Sequence, residues 1–163
     1  MKLHLLVRLL LLGIIMAPAM SHAEISCPWL NRATAAGVLG GPASLKVQST
    51  AAEDICLFQY QKGTTSYDLQ IVVDDIDLPA RGATPAPSRC SSQAIPLKGI
   101  GNEATMCGVD FSSFHGERVA GRVRDREFVI RLGSSVKKDP AMTNEMLQLK
   151  ARGVAEQVAG SLF

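Results

Sequence analysis

The sequence predicts an α+β domain, a mostly antiparallel sheet of about six strands with an N-terminal and a C-terminal helix packed on it. Three observations carry this. Apolar and polar residues alternate in several short segments bounded by turn signals, as half-buried strands require. Helical spacing of apolar residues is confined to the stretch near residue 30 and to the C-terminal end. Strand-like segments gather between those two stretches, giving the order α-β-β-β-loop-β-β-β-α.

The elements follow in chain order. Pro28 suits a first helical position, and Trp29, Ala33, Ala36 and Leu39 continue at helical spacing. Gly40-Gly41-Pro42 then stops the helix. Leu45 and Val47 alternate with polar neighbours in a first strand, and Ile55 to Gln61 reads as a second. Lys62-Gly63 offers a turn into a third strand, where Tyr67, Leu69, Ile71 and Val73 alternate before Asp74-Asp75. Asp75 to Pro96, with five prolines or glycines along it, reads as a long loop tethered by Cys90. A fourth strand spans Ala104 to Phe111. Glu117–Arg124 and Arg126–Leu132 form the clearest hairpin, with Val119, Gly121 and Val123 on one face of its first arm. Phe128, Ile130 and Leu132 share a face of the second arm. Asp139 is placed to cap a last helix beginning at Pro140, along which Leu147, Ala151, Val154, Val158 and Leu162 form an apolar stripe.

Domain organisation follows from the first segment. Lys2 and Arg8 precede an uncharged run from Leu9 to Met20, and small residues occupy Ser21 and Ala23. A basic start, a short apolar run and a small-x-small site make residues 1–23 a secretory signal peptide. The run is shorter than the roughly 20 residues a membrane-crossing helix needs. Residues 24–163 then form a single disulfide-bonded domain. Removing Lys2 and Arg8 leaves 15 basic and 15 acidic residues, so the net charge falls from +2 to zero. Global electrostatic support for nucleic-acid binding disappears with it. Ordinary charge and apolar content exclude full disorder, a collagen-like repeat and a coiled coil.

Cys27, Cys56, Cys90 and Cys107 all lie after the leader, an even number suited to an oxidising compartment. They allow three pairings; short loops within each half of the chain favour Cys27–Cys56 and Cys90–Cys107. A competing lipid attachment at Cys27 is opposed by Glu24-Ile25-Ser26, a poor lipoprotein signal. With His115 the only histidine after the leader, a zinc site has little ligand supply.

Few residues suggest chemistry. Gly99-Ile100-Gly101-Asn102-Glu103-Ala104 fits G-x-G-x-x-A, but it precedes a strand rather than a helix and reads as a glycine turn. Ser113 and His115 could serve a small periplasmic hydrolase, although no G-x-S-x-G elbow supports them. Asp74, Asp75 and Asp77 cluster at a strand end without the spacing of a calcium loop. Arg118, Arg122 and Arg124, which share one strand face in this reading, are with Arg126 a candidate partner surface for an anionic protein or envelope polymer, against the favoured reading of a solvent-facing sheet surface. Glu117, Asp125 and Glu127 are interleaved with them as potential cross-strand partners.

A cysteine after the leader, a short helix ending in Leu39-Gly40-Gly41, a cysteine in an early strand and the run Pro96 to Ala104 recur together with a hairpin and a terminal helix. This combination resembles bacterial secreted or lipoprotein domains of unknown function with a PsbP-like α/β/α sandwich, distantly similar to the extracellular sensor domain of the mycobacterial kinase PknH. The resemblance implies a disulfide-bonded sandwich with a ligand- or partner-binding cleft and brings no catalytic residues. The expectation is therefore a periplasmic or secreted, non-catalytic binding or accessory module of the bacterial envelope. It would use no cofactor or metal, bind a small ligand or an envelope protein but no nucleic acid, and keep no stable membrane insertion after cleavage. The alternatives are the Ser113/His115 hydrolase and a purely structural envelope component.

Overall fold

The computed structural model describes residues 26–51, 53–75 and 90–163. Residues 1–23, read from the sequence as a signal peptide, Asp77 and most of the Asp75–Pro96 loop lie outside these residues.

Elements run in the order α1 (Arg32–Leu39), β1 (Ser44–Ser49), β2 (Glu53–Lys62), β3 (Thr65–Asp75), β4 (Ile95–Pro96), β5 (Glu103–Phe111), β6 (Phe114–Val123), β7 (Arg126–Ser134) and α2 (Asn144–Ser161). All seven strands form one antiparallel sheet, ordered β1-β2-β3-β7-β6-β5-β4. The α+β class and the helix near each end agree with the sequence reading. The seventh strand is β4, which pairs Ile95 with Met106 and Pro96 with Thr105. Two residues are too few for alternation to reveal, and proline is tolerated at an edge.

Register explains the core. One row across the sheet brings together Cys56, Ile71, Ile130, Val119 and Met106. A neighbouring row runs Phe58, Leu69, Leu132, Glu117 and Gly108. Their apolar members are buried, together with Ala35 and Leu39 of α1 and Leu147, Ala151, Val154, Ala155, Val158 and Ala159 of α2. Each large apolar side chain buried in this way contributes about 1.5–3 kcal/mol. Lys150 of α2 donates to the Val38 carbonyl at 2.6 Å, fastening one helix to the other. The opposite face of β2 and β3, with Ile55, Leu57, Asp68 and Gln70, is only half-buried. Both described helices thus cover one face, giving two layers where the resemblance implies helices on both faces.

Both disulfides join the expected partners. Cys27–Cys56 fastens the segment before α1 to β2, and Cys90–Cys107 fastens the chain ahead of β4 to β5. No cysteine is left free, so no thiol at Cys27 remains for a lipid.

Two helix starts differ from the sequence reading. The first helix begins at Arg32 rather than near Pro28, because the Asn31 side chain accepts from the Thr34 amide at 2.8 Å and caps it. Trp29 and Leu30 are buried ahead of the helix, not along it. The last helix begins at Asn144 rather than Pro140, with Thr143 as its cap. Asp139 instead closes a tight turn, accepting from Ala141 at its side chain and from Met142 at its carbonyl. The G-x-G-x-x-A run is a turn into β5, as read. Gly99 and Gly101 hold φ of 80° and 60°, and a Cβ on Gly101 would lie 2.3 Å from the Arg122 carbonyl oxygen.

Candidate functional site

The β5–β6 turn, the end of β7 and the first turns of α2 meet at one end of the sheet. Between the sheet and α2 they leave a cavity of about 320 Å³. Of its strand residues, Gly108, Asp110, His115, Glu117 and Ser134 lie on the helix-covered face, where Asp110, His115 and Ser134 stand directly opposite one another across β5, β6 and β7.

Asp110 sits at the centre of a charged array. It accepts from Lys137 Nζ at 2.5 Å and meets His115 Nδ1 at 2.5 Å. The Lys137 ammonium, and then the His115 ring, hold its carboxyl below the usual aspartate range. Ser134 is turned away from the histidine; its hydroxyl donates to the Val136 carbonyl at 2.9 Å. At the cavity wall, the Tyr67 hydroxyl faces the Asp139 carboxylate, which together with burial pushes the tyrosine up to about 12.

Glu117 lies deeper. It is 5% exposed, and its register neighbours are Gly108 on β5 and Leu132 on β7. Gln148 of α2 donates to its Oε1 at 3.4 Å, a long contact. Burial pushes this carboxyl up, while the Gln148 hydrogen bond pulls the other way. A charge taken from water without a close partner costs several kcal/mol, and Glu117 has only this one long contact.

The residues singled out from the sequence are scattered by comparison. Arg118 and Arg122 do alternate onto one face of β6, but Arg124 does not join them. It lies in the β6–β7 turn with φ of 55°, and its guanidinium sits 5.5 Å from the Phe163 ring centre. Arg118 is only 9% exposed, Arg122 pairs with Glu103 at 2.9 Å and Arg126 with Asp75 at 3.2 Å. The expected run of arginines on a single strand face is therefore broken by the turn, and two of its members, Arg122 and Arg126, are held by acidic partners. Glu127 stands opposite Arg122, whereas Glu117 points to the other face and neutralises no arginine.

Ser113 lies in the β5–β6 turn, and among the described residues no hydrogen bond joins it to His115. His115 does line the cavity, with the carboxylate partner that a general base would need. Asp74 stands between Glu53 and Glu127 in the cross-strand register, and burial first, then those two neighbours, pushes its carboxyl up. Asp75 follows on the other face of β3, so the two aspartates do not converge. Among the described residues no group of histidine, cysteine or acidic side chains could hold a metal ion.

Asp110, Glu117, Lys137 and Gln148 were not legible as a set from the sequence. Only Glu117 left a signal: it occupies the same strand phase as Val119, Gly121 and Val123, where an apolar residue belongs.

No helix among the described residues is long and apolar enough to cross a membrane. Comparison with protein-family models, curated proteins and solved structures finds nothing that matches this chain, so no relative supports the PsbP-like resemblance.

Proposed function

We propose that this chain is an exported binding module of the bacterial envelope, and that its ligand site is the cavity between β5–β7 and the first turns of α2. The observation that carries this reading is the convergence of Asp110, His115, Lys137, Glu117 and Gln148 on one cavity of about 320 Å³. Small-molecule sites span about 300–1,000 Å³ and combine apolar walls with a few directed polar groups. Met142 and Leu147 supply apolar wall here. Two disulfides in one small domain fit an oxidising compartment such as the periplasm or the exterior. A ligand-binding cleft is also what the PsbP-like resemblance implies.

The hydrolase alternative has its base and orienting acid in His115 and Asp110, but among the described residues no serine hydroxyl, those of Ser91 and Ser92 at the cavity included, is hydrogen-bonded to the histidine. Ser113 is outside the cavity, and the Ser134 hydroxyl is engaged by Val136. Binding therefore accounts for the arrangement better than acyl transfer.

Amide NMR of the mature chain with a set of cationic, neutral and anionic small molecules tests the proposal. Shifts are expected to cluster on Gly108, His115, Glu117, Val136 and Gln148. Shifts gathered on the arginines of the β6–β7 hairpin, or on no surface at all, contradict it.

A further inference from the structure

We infer that the ligand of this cavity carries a primary ammonium group that docks on the Glu117 carboxylate. This rests on the cavity being the binding site proposed above and adds the chemical class of its ligand.

Glu117 stands in an apolar position. Its cross-strand row is Phe58, Leu69, Leu132, Glu117 and Gly108, and its strand neighbours on the same face include Val119 and Val123. The side chain is 95% withdrawn from solvent, at 5% exposure, yet it lines an open cavity. Among the described residues, no ion pair joins a cation to it. Leu132 offers no polar atom, Gly108 has no side chain, and the amide of Gln148 stands at the long limit of a hydrogen bond, 3.4 Å away. Lys137 is occupied by Asp110, Lys138 is exposed and makes no ion pair with Glu117, and the His115 Nδ1 also faces Asp110. The other two carboxylates at the cavity have closer protein donors, although among the described residues Asp139 Oδ2 is left without a hydrogen bond. Asp110 has Lys137 and His115; Asp139 has the Ala141 amide at 2.8 Å.

A buried carboxylate of this kind is costly alone and favourable once a cation with good hydrogen-bond geometry arrives. An ammonium brings three donors. Glu117 accepts one. Acceptors for the others stand close by: a Cβ built on Gly108 would lie 3.2 Å from the Ser92 hydroxyl and 3.6 Å from that of Ser91. Ser92 also accepts from the Gly108 amide at 2.8 Å, so both hydroxyls border the same cavity as Glu117, beside the strand position directly opposite it. An anionic ligand would meet the carboxylate with repulsion, and a neutral one would leave it without a counter-charge.

Binding of n-butylammonium, 1-butanol and butyrate to the mature chain at neutral pH, read by amide NMR, tests the inference. Saturable shifts at Gly108, Glu117 and Gln148 are expected with n-butylammonium, with affinity falling at least about tenfold in Glu117→Gln, as loss of a buried charge partner implies. Selectivity among the three probes on the unsubstituted protein keeps the test independent of how that variant folds. Equal affinity of wild type and E117Q, or preference for butanol or butyrate at the same residues, overturns the ammonium assignment and leaves the cavity as the binding site. Failure of every probe and of the wider set of small molecules to shift cavity residues overturns both.

Discussion

Truncation after Gly153 is expected to unfold the protein at ordinary temperatures. The cut removes Val154, Ala155, Val158 and Ala159, all at 2% exposure or less, together with the partly buried Leu162. It also uncovers the faces of β6 and β7 on which α2 lies, including Phe128 and Ile130. The two valines alone are worth about 1.5–3 kcal/mol each, before the newly exposed sheet is counted. Domains of this size have about 5–15 kcal/mol in all, so a loss of at least about 4 kcal/mol leaves little or no folded population. A thermal melt of the truncated chain that matched the full chain would sink the assignment of α2 as the cover of the core.

The second large effect is at the Cys27–Cys56 bridge. Replacing both cysteines by serine is expected to cost about 3–4 kcal/mol, the loop-closure entropy released by a crosslink of this separation. The bridge spans 29 residues, against 17 for Cys90–Cys107, so the latter is the smaller of the two losses. Cys56 is fully buried, and two hydroxyls in place of the disulfide would need partners its apolar row does not supply. The melting temperature should drop on the order of 10 °C. The control is the intact mass of exported wild-type protein, expected to fit a chain beginning at Glu24 less four protons. Free thiols in that material, or an unchanged melt in the double variant, contradict the account.

Periodicity made most of the fold legible. Alternation placed the long strands because one face of the sheet is dry, so each inward residue is forced to be apolar. The apolar stripe from Leu147 to Val158 did the same for α2. Boundaries were read less well because capping signals compete locally: Pro28 and Asp139 resemble helix starts, but Asn31 and Thr143 hold the caps. The two-residue β4 has no period to read. The site was harder to read because it is assembled by register. Asp110 and His115 meet across a hairpin, Lys137 arrives from the loop after β7 and Gln148 from α2. Spacing along the chain carries none of that. The arginines, by contrast, were conspicuous by composition, and acidic neighbours and the β6–β7 turn disperse them.

pH offers an independent view of Glu117. Its folded carboxyl binds a proton more readily than in the unfolded chain, so the folded state carries more protons between the ordinary glutamate value and the raised one. Stability contributed by this group is therefore greatest at low pH and is lost as pH rises through that window. The central claim, that Glu117 is a buried carboxylate awaiting a cation from outside the protein, is tested most directly by its side-chain carboxyl carbon in an NMR pH titration. The midpoint is expected above the ordinary glutamate value of about 4.3 and should fall when n-butylammonium is added. A midpoint at the ordinary value, indifferent to the amine, would contradict the account.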